Sequence, residues 1–385
     1  MIRSALQRWP LLVVHFGIVL LMLPGLMQRT GAHYLLWVAV YLTCVLVAYM
    51  LAMRIPLEKL RLPWPDLGIQ LLAYGMPLVT IIFAVVHWRV LGHVPLLEAL
   101  KQDDDLAVVA LRREANEVPA WINYGGQLVL KALLPFGSLV LWYRKRWAFW
   151  SAAILGLVYS MSLLQKSPVI TPFVPLWVSF VIFRKWRSFI SLSAIMVTLL
   201  AFLVMVANPV DEATPTRPRD EGYGHVGRIV ISLGSRIFLT PGWTLAAWFT
   251  HIPQDIPFQE GGAIRPLAAV LGVPYRDLSR EVYDLEYPEL AALNTQGTMA
   301  SASFMYGWAN FGGAGIAMEG LIMGVWLVLV NVLFKDRWRW ACCLCVFPLL
   351  SASATSLPTV LLTHGWLATL VLFWLFIPPD SELEE

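Results

Sequence analysis

A chain of 385 residues that is 58% hydrophobic and only 14% charged, with a mean hydropathy of +0.66, carries more apolar surface than one soluble core can bury. A soluble single-core domain is thereby excluded, and lipid is the expected solvent. The formal net charge of +3 says less than the placement of the charges, because basic residues cluster between apolar runs, and no nucleic-acid partner is expected.

A helix needs about 20 apolar residues to cross the hydrocarbon core of a bilayer. That template predicts spans near 9–28, 32–53, 67–88, 123–143, 147–165, 168–183, 188–207, 310–334, 341–358 and 360–377, about ten in all. The first follows Arg3 and Arg8 and is read as an uncleaved span, since no small-x-small cleavage site comes after it. Pro168, Pro172 and Pro175 interrupt the sixth run and Pro348 the ninth, which leaves a re-entrant pair as an alternative to full spans. Cys44 lies inside one apolar run and Cys342, Cys343 and Cys345 crowd another, so the cysteines read as small hydrophobic residues and form no disulfide or metal framework.

Every second connection carries a tight basic group: Arg54, Lys59 and Arg61; Arg144 to Arg146; Arg184, Lys185 and Arg187; Lys335, Arg337 and Arg339. By the positive-inside rule these groups and both termini face the cytoplasm. Two long connections, 89–122 and 208–305, then face outward and hold most of the acids. The expected fold is an all-α polytopic membrane protein, one integral membrane domain over 1–385. In the larger outer loop a Pro-rich stretch, 209–219, precedes an amphipathic helix near 225–239. There His225, Arg228, Ser232, Ser235 and Arg236 share one sector, with Val230, Leu233, Ile237 and Phe238 opposite. Pro241-Gly242 should end or kink it.

Several residues in the outer segments could carry chemistry. Arg228 and Arg236 present two guanidinium groups that suit either the diphosphate of a lipid-linked substrate or phospholipid headgroups. Arg112 and Arg113 fall in the last turn of a short helix opened by Asp103, Asp104 and Asp105, an arrangement the helix dipole also favours without any ligand. The Asp-x-Asp spacing there has no surrounding strand pattern and faces away from the nucleotide pool, so it is not read as a metal site. Lys166, in a short outer turn, either meets an anionic headgroup or snorkels to the surface, and Lys131 has the same two readings. Candidate bases for an attacking hydroxyl are His225, His251, Glu114, Asp255 and Glu260, among which the sequence does not choose. Glu319, inside an apolar run, needs a reason for being there, such as an arginine on a neighbouring helix. No cofactor or metal site is expected.

Taken together, the outer Arg112-Arg-Glu114, the Lys166-Ser-Pro168 turn, the helix sequence Gly227 to Phe238, Phe258-Gln-Glu-Gly-Gly262 and Tyr306-Gly-Trp-Ala-Asn-Phe-Gly-Gly-Ala-Gly315 resemble the bacterial O-antigen and capsule polymerases. These form the Wzy, or oligosaccharide repeat unit polymerase, family. The pieces span 112–315, a little over half the chain. The family's Arg-x10-Gly pattern is only approximated, with eleven residues between Arg113 and Gly125. The resemblance implies a multi-pass protein of the bacterial inner membrane, with an architecture like that of C-type, lipid-dependent glycosyltransferases and an active site facing the periplasm. It implies polymerisation of undecaprenyl-diphosphate-linked oligosaccharides, inverting and metal-independent. Arg228, Arg236, Arg112, Arg113 and Lys166 would bind the diphosphate, and His251, Glu114 or Glu260 would act as base. It leaves open a chain-length regulator of the Wzz type as partner. An O-antigen ligase would use the same donor, and a lipid-linked sugar flippase is the alternative of a different class, although charge concentrated in one outer loop favours an enzyme.

Overall fold

The computed structural model describes residues 6–54, 65–102, 105–207, 234–235, 238–292, 297–334 and 337–377. Among them every regular element is helical. Seven helices are long and apolar enough to cross a membrane, as in a multi-pass membrane protein: α1 Pro10–Thr30, α2 Leu35–Ala52, α3 Pro65–Leu91, α4 Ala120–Arg144, α7 Trp186–Ala207, α11 Ser303–Phe334 and α13 Leu357–Phe376. Three more of the predicted runs form shorter helices, α5 Arg146–Ser162, α6 Ser167–Ile182 and α12 Trp338–Ala352. Pro172 sits in a 3-10 turn, Thr171–Phe173, that tightens α6, and Gly365 in the left-handed region (φ 73°) divides α13. Helices outside the apolar runs include α8 Thr240–His251, α9 Arg265–Leu271 and α10 Leu278–Glu286, together with Asp105–Glu114 and two of five residues, Pro95–Ala99 and Pro288–Ala292.

The amphipathic helix expected over 225–239, with Arg228 and Arg236, falls outside the described residues except at 234, 235, 238 and 239. Pro241, expected to end or kink that helix, stands in the first turn of α8. There its fixed φ suits the helix and its missing N–H costs nothing.

The chain packs as two compact units, the first drawn from 1–59, 225–338 and 348–361, the second from 60–224, 339–347 and 362–385. In the first, glycines bring backbones together, as is usual where lipid leaves little hydrophobic drive between helices. A Cβ on Gly25 would strike the Leu239 carbonyl and one on Gly242 would strike the Met22 carbonyl, so α1 and α8 cross backbone to backbone. Gly320 and Gly324 likewise set α11 against the Tyr41 and Val45 carbonyls of α2.

α11 is not one straight rod. Its φ/ψ angles leave the helical region at Phe311 (φ −137°, ψ 18°) and Gly312 (φ 60°, ψ −140°). In a straight helix Gly307 and Gly315 would stand about 12 Å apart at 1.5 Å per residue, yet a Cβ on either would collide with the other's carbonyl oxygen. The chain therefore doubles back: a short arm, 303–310, lies against the start of a long arm, 313–334. The span predicted to begin at 310 corresponds to the long arm. Uninterrupted hydropathy hides the reversal. Glu319, 6% exposed, packs its side chain against Gly307 beside this turn, and no arginine pairs with it among the described residues. Nearby, His15 Nε2 and the Tyr41 hydroxyl are 3.0 Å apart.

In the second unit α3 packs on α4 and α5. Polar ties hold it there: His87 Nδ1 lies 3.1 Å from the Tyr159 hydroxyl, and Trp88 Nε1 donates to Ser162 Oγ at 2.9 Å. A π turn, Val129–Leu133, loosens α4 around Lys131.

Candidate functional site

Within the first unit, residues 252–292 and 297–302 form a polar lobe at the ends of α8 and α11, and aromatic side chains seat it. Trp248 Nε1 donates to the Met299 carbonyl at 2.7 Å and Trp308 Nε1 to the Ile252 carbonyl at 3.0 Å. Phe249 stacks on Tyr34 at 4.6 Å between ring centres, and Trp308 packs edge-on to Phe249 and Phe258. These buried indoles give the lobe a firm base, because each N–H reaches an acceptor.

Loop 258–263 is fastened to the α11 reversal by Asn310, which is 1% exposed. Asn310 Oδ1 accepts from the backbone N–H of Gly261 (2.9 Å) and of Ala263 (3.0 Å), while its Nδ2 donates to the Tyr306 carbonyl at 2.8 Å. The loop backbone adds bonds from Gln259 N–H to the Ala309 carbonyl and from Glu260 N–H to the Asn310 carbonyl. Arg276 braces the far side: its guanidinium is bidentate to Glu281 and donates to Gln259 Oε1 at 3.2 Å. Held this way, Glu260 has φ 50°, left-handed space that a residue with a Cβ enters only at a cost, and its side chain is exposed.

His251 lies in a different network. Its Nδ1 is 2.6 Å from Asp255 Oδ2 and its Nε2 3.2 Å from Glu286 Oε1, and Arg29 closes the chain on Glu286 at 2.7 Å. With 16% of the His251 side chain and 12% of that of Glu286 exposed, the arrangement ties the ends of α8, α10 and α1 together. Both ring nitrogens face carboxylates, so His251 is placed to fix the lobe's position.

Besides Arg276, two further cations of the lobe are not singled out by the sequence reading. Arg265 is exposed, with its guanidinium carbon 4.7 Å from the centre of the Tyr275 ring. Arg280 is exposed and pairs loosely with Asp277 at 3.4 Å. Burial, and then the nearby Asp277 carboxylate, raise the Tyr275 phenol above its ordinary value against the opposing pull of Arg265 and Arg280. The hydroxyl is therefore protonated at neutral pH and can donate to an anionic or sugar oxygen.

Arg112, Arg113 and Glu114 belong to the second unit. They end the helix Asp105–Glu114 and are exposed, with Glu114 3.7 Å from His93 Nε2. Lys166 begins the next segment there, at the start of the helix Lys166–Ile170. Asn116 links the two: its Nδ2 donates to the Arg112 carbonyl at 2.9 Å, and its Oδ1 accepts from Gln165 Nε2 at 2.8 Å. The structure thus brings the sequence candidates together as two sets, Arg112 to Glu114 with the Lys166 turn in one unit, and the Glu260 loop with Asn310 in the other.

Asn310 stood inside a quoted motif without an assigned role, and an Asn-Phe-Gly interruption of an apolar run was its available signal. Glu286, Arg29, Arg276 and Gln165 had none, because their partners are distant in sequence. No group of three or more His, Cys, Asp or Glu side chains arranged to hold a metal ion occurs among the described residues. Comparison with protein-family models, curated proteins and solved structures gave no match.

Proposed function

We propose that this protein is a lipid-dependent glycosyltransferase that polymerises undecaprenyl-diphosphate-linked oligosaccharide repeat units at the periplasmic face of the bacterial inner membrane. The observation that carries the reading is the meeting of two segments about 50 residues apart, Phe258–Gly262 and Tyr306–Gly315, through the Asn310 hydrogen bonds. Both are among the pieces on which the family resemblance rests. The second such meeting, of Arg112–Glu114 with the Lys166 turn through Asn116 and Gln165, supports it independently.

In this reading Glu260 takes the proton from the acceptor hydroxyl as that oxygen attacks the anomeric carbon of the donor. The bond to undecaprenyl diphosphate breaks as the new glycosidic bond forms. The leaving group departs as an anion, and guanidinium groups that hold its developing charge lower the barrier. Arg228 and Arg236 are assigned that role from the sequence pattern; Arg112, Arg113 and Lys166, which the family resemblance also makes diphosphate ligands, belong to the second unit and are given no place in this step. His251 positions the lobe. No metal is required, because the arginines supply the positive charge.

The cellular product tests the reaction. Arg228→Ala or Arg236→Ala is expected to leave lipid A core capped with a single repeat unit, at normal protein level, and Arg236→Lys to restore chain length only in part, since an ammonium keeps the charge but loses the two-point fork. Uncapped core with long polymer still on undecaprenyl diphosphate would identify a ligase. Uncapped core with single units retained inside would identify a flippase, and normal long chains would remove the arginines from the site.

Orientation has its own test. In a background without native cysteines, Val270→Cys, at a position 82% exposed on the lobe, is expected to react with a membrane-impermeant thiol reagent in cells with a permeabilised outer membrane, and Ser381→Cys to react only after lysis. The reverse pattern would place the lobe in the cytoplasm and defeat the proposal.

A further inference from the structure

The second unit contains a long apolar groove that the proposed reaction does not use. Its volume is about 300 Å³, and α5, α6 and α7 supply most of its walls. Along α7 it runs from Arg187 to Leu199. Those twelve steps cover about 18 Å at 1.5 Å per residue, close to the ~15 Å depth of one leaflet of a 30 Å hydrocarbon core.

Polarity is confined to one end. Arg187, Ser188 and Ser191 line the groove there, and the remaining lining is apolar and aromatic. The same end is basic without counter-charge: the connections there carry Arg144, Lys145, Arg146, Arg184, Lys185 and Arg187, and residues 118–210 contain no Asp or Glu. Several of those cations rest on aromatic faces, Arg146 5.2 Å from the Trp142 ring centre and Lys185 5.5 Å from that of Tyr143. Arg187 is exposed and makes no ion pair or hydrogen bond among the described residues. Trp142 and Trp150, 6.3 Å apart between ring centres, line the groove as well, and Trp is the side chain favoured where hydrocarbon meets headgroups. Only 6% of the apolar window of α7 is buried, against 67% for α4, so one wall of the groove is open to lipid.

We propose that the groove binds one anionic phospholipid, an acyl chain lying along α7 and the phosphate held by Arg187 with the hydroxyls of Ser188 and Ser191. Length selects a lipid chain, and the cation in an acid-free region selects a negative headgroup. A guanidinium meets a phosphate through two parallel hydrogen bonds, which a zwitterionic headgroup satisfies less well because its own cation competes. The site is independent of the polymerase reading, since it uses none of the residues assigned to that reaction.

The test uses purified full-length protein in nanodiscs of phosphatidylcholine doped with phosphatidylglycerol that carries a photoreactive group near the end of one acyl chain. Cross-links are expected in peptides covering 149–157 and 192–199, with unlabelled phosphatidylglycerol competing at least ~10-fold better than phosphatidylcholine. Arg187→Gln is expected to bring that ratio close to one. Ile195→Trp, at a position 51% exposed on the open wall, fills the groove and is expected to remove the cross-links without changing the thermal midpoint in detergent. Glycerol 3-phosphate, the headgroup without a chain, is expected not to compete at the same concentrations. Cross-links confined to other helices, an unchanged preference in Arg187→Gln, labelling that survives Ile195→Trp, or equal competition by glycerol 3-phosphate would each overturn the proposal.

Discussion

Glu260→Gln is expected to abolish polymer, lowering turnover of lipid-linked repeat units by at least ~100-fold while protein level and thermal midpoint stay unchanged, because general-base catalysis contributes factors of about 10² to 10⁴. Glutamine keeps the shape and the loop's backbone bonds and loses only the ability to take a proton. Glu260→Gly separates chemistry from folding. At φ 50° a glycine avoids the contact between Cβ and backbone that glutamate tolerates, a relief of about 1 kcal/mol. That variant should be as stable as the parent or more so, and equally inactive. Turnover can be followed with purified protein and a lipid-linked repeat unit, and stability by thermal denaturation in the same detergent. Wild-type turnover in Glu260→Gln would mean that another group is the base.

Asn310→Ala is expected to release the loop that carries Glu260. The substitution leaves the Gly261 and Ala263 N–H groups without their acceptor in a buried setting. Each unsatisfied donor costs about 1–3 kcal/mol, so the two together should cost the lobe about 2–6 kcal/mol of its local stability. Hydrogen exchange in peptides covering 258–264 should accelerate by at least ~30-fold, with the helices of the second unit unaffected, and polymer should be lost with it. Asn310→Asp keeps an acceptor for both N–H groups but removes the donor to the Tyr306 carbonyl and buries a charge. It should fall between the two. Unchanged exchange in Asn310→Ala would show that the loop is held by something else.

Hydropathy reveals the spanning helices because each is a continuous apolar run, and a run of that length has few alternatives to a membrane helix. It does not reveal the reversal inside α11, since Ser303–Phe334 stays apolar through the turn and the contact that proves it, Gly307 on Gly315, is made by glycines that look like any others. The lobe is hidden for a different reason. Its helices are short, seven residues in Arg265–Leu271 and nine in Leu278–Glu286, so periodicity has little room to show itself. Glu260 was legible as a loop carboxylate and His251 as a titratable group. Their separation into an exposed carboxylate and a side chain tied between two carboxylates depends on partners at 286 and 310 that no local pattern announces.

The α11 reversal also orders events in time. The 258–263 loop is synthesised before residues 309 and 310, which hold it, and before residue 315, against which the short arm must fold. Glu260 therefore acquires its final backbone geometry only after the chain has grown beyond Gly315 and turned back on itself. Until then the loop lacks the Asn310 side chain and the carbonyls that hold it, so completion of a membrane helix is what fixes its backbone.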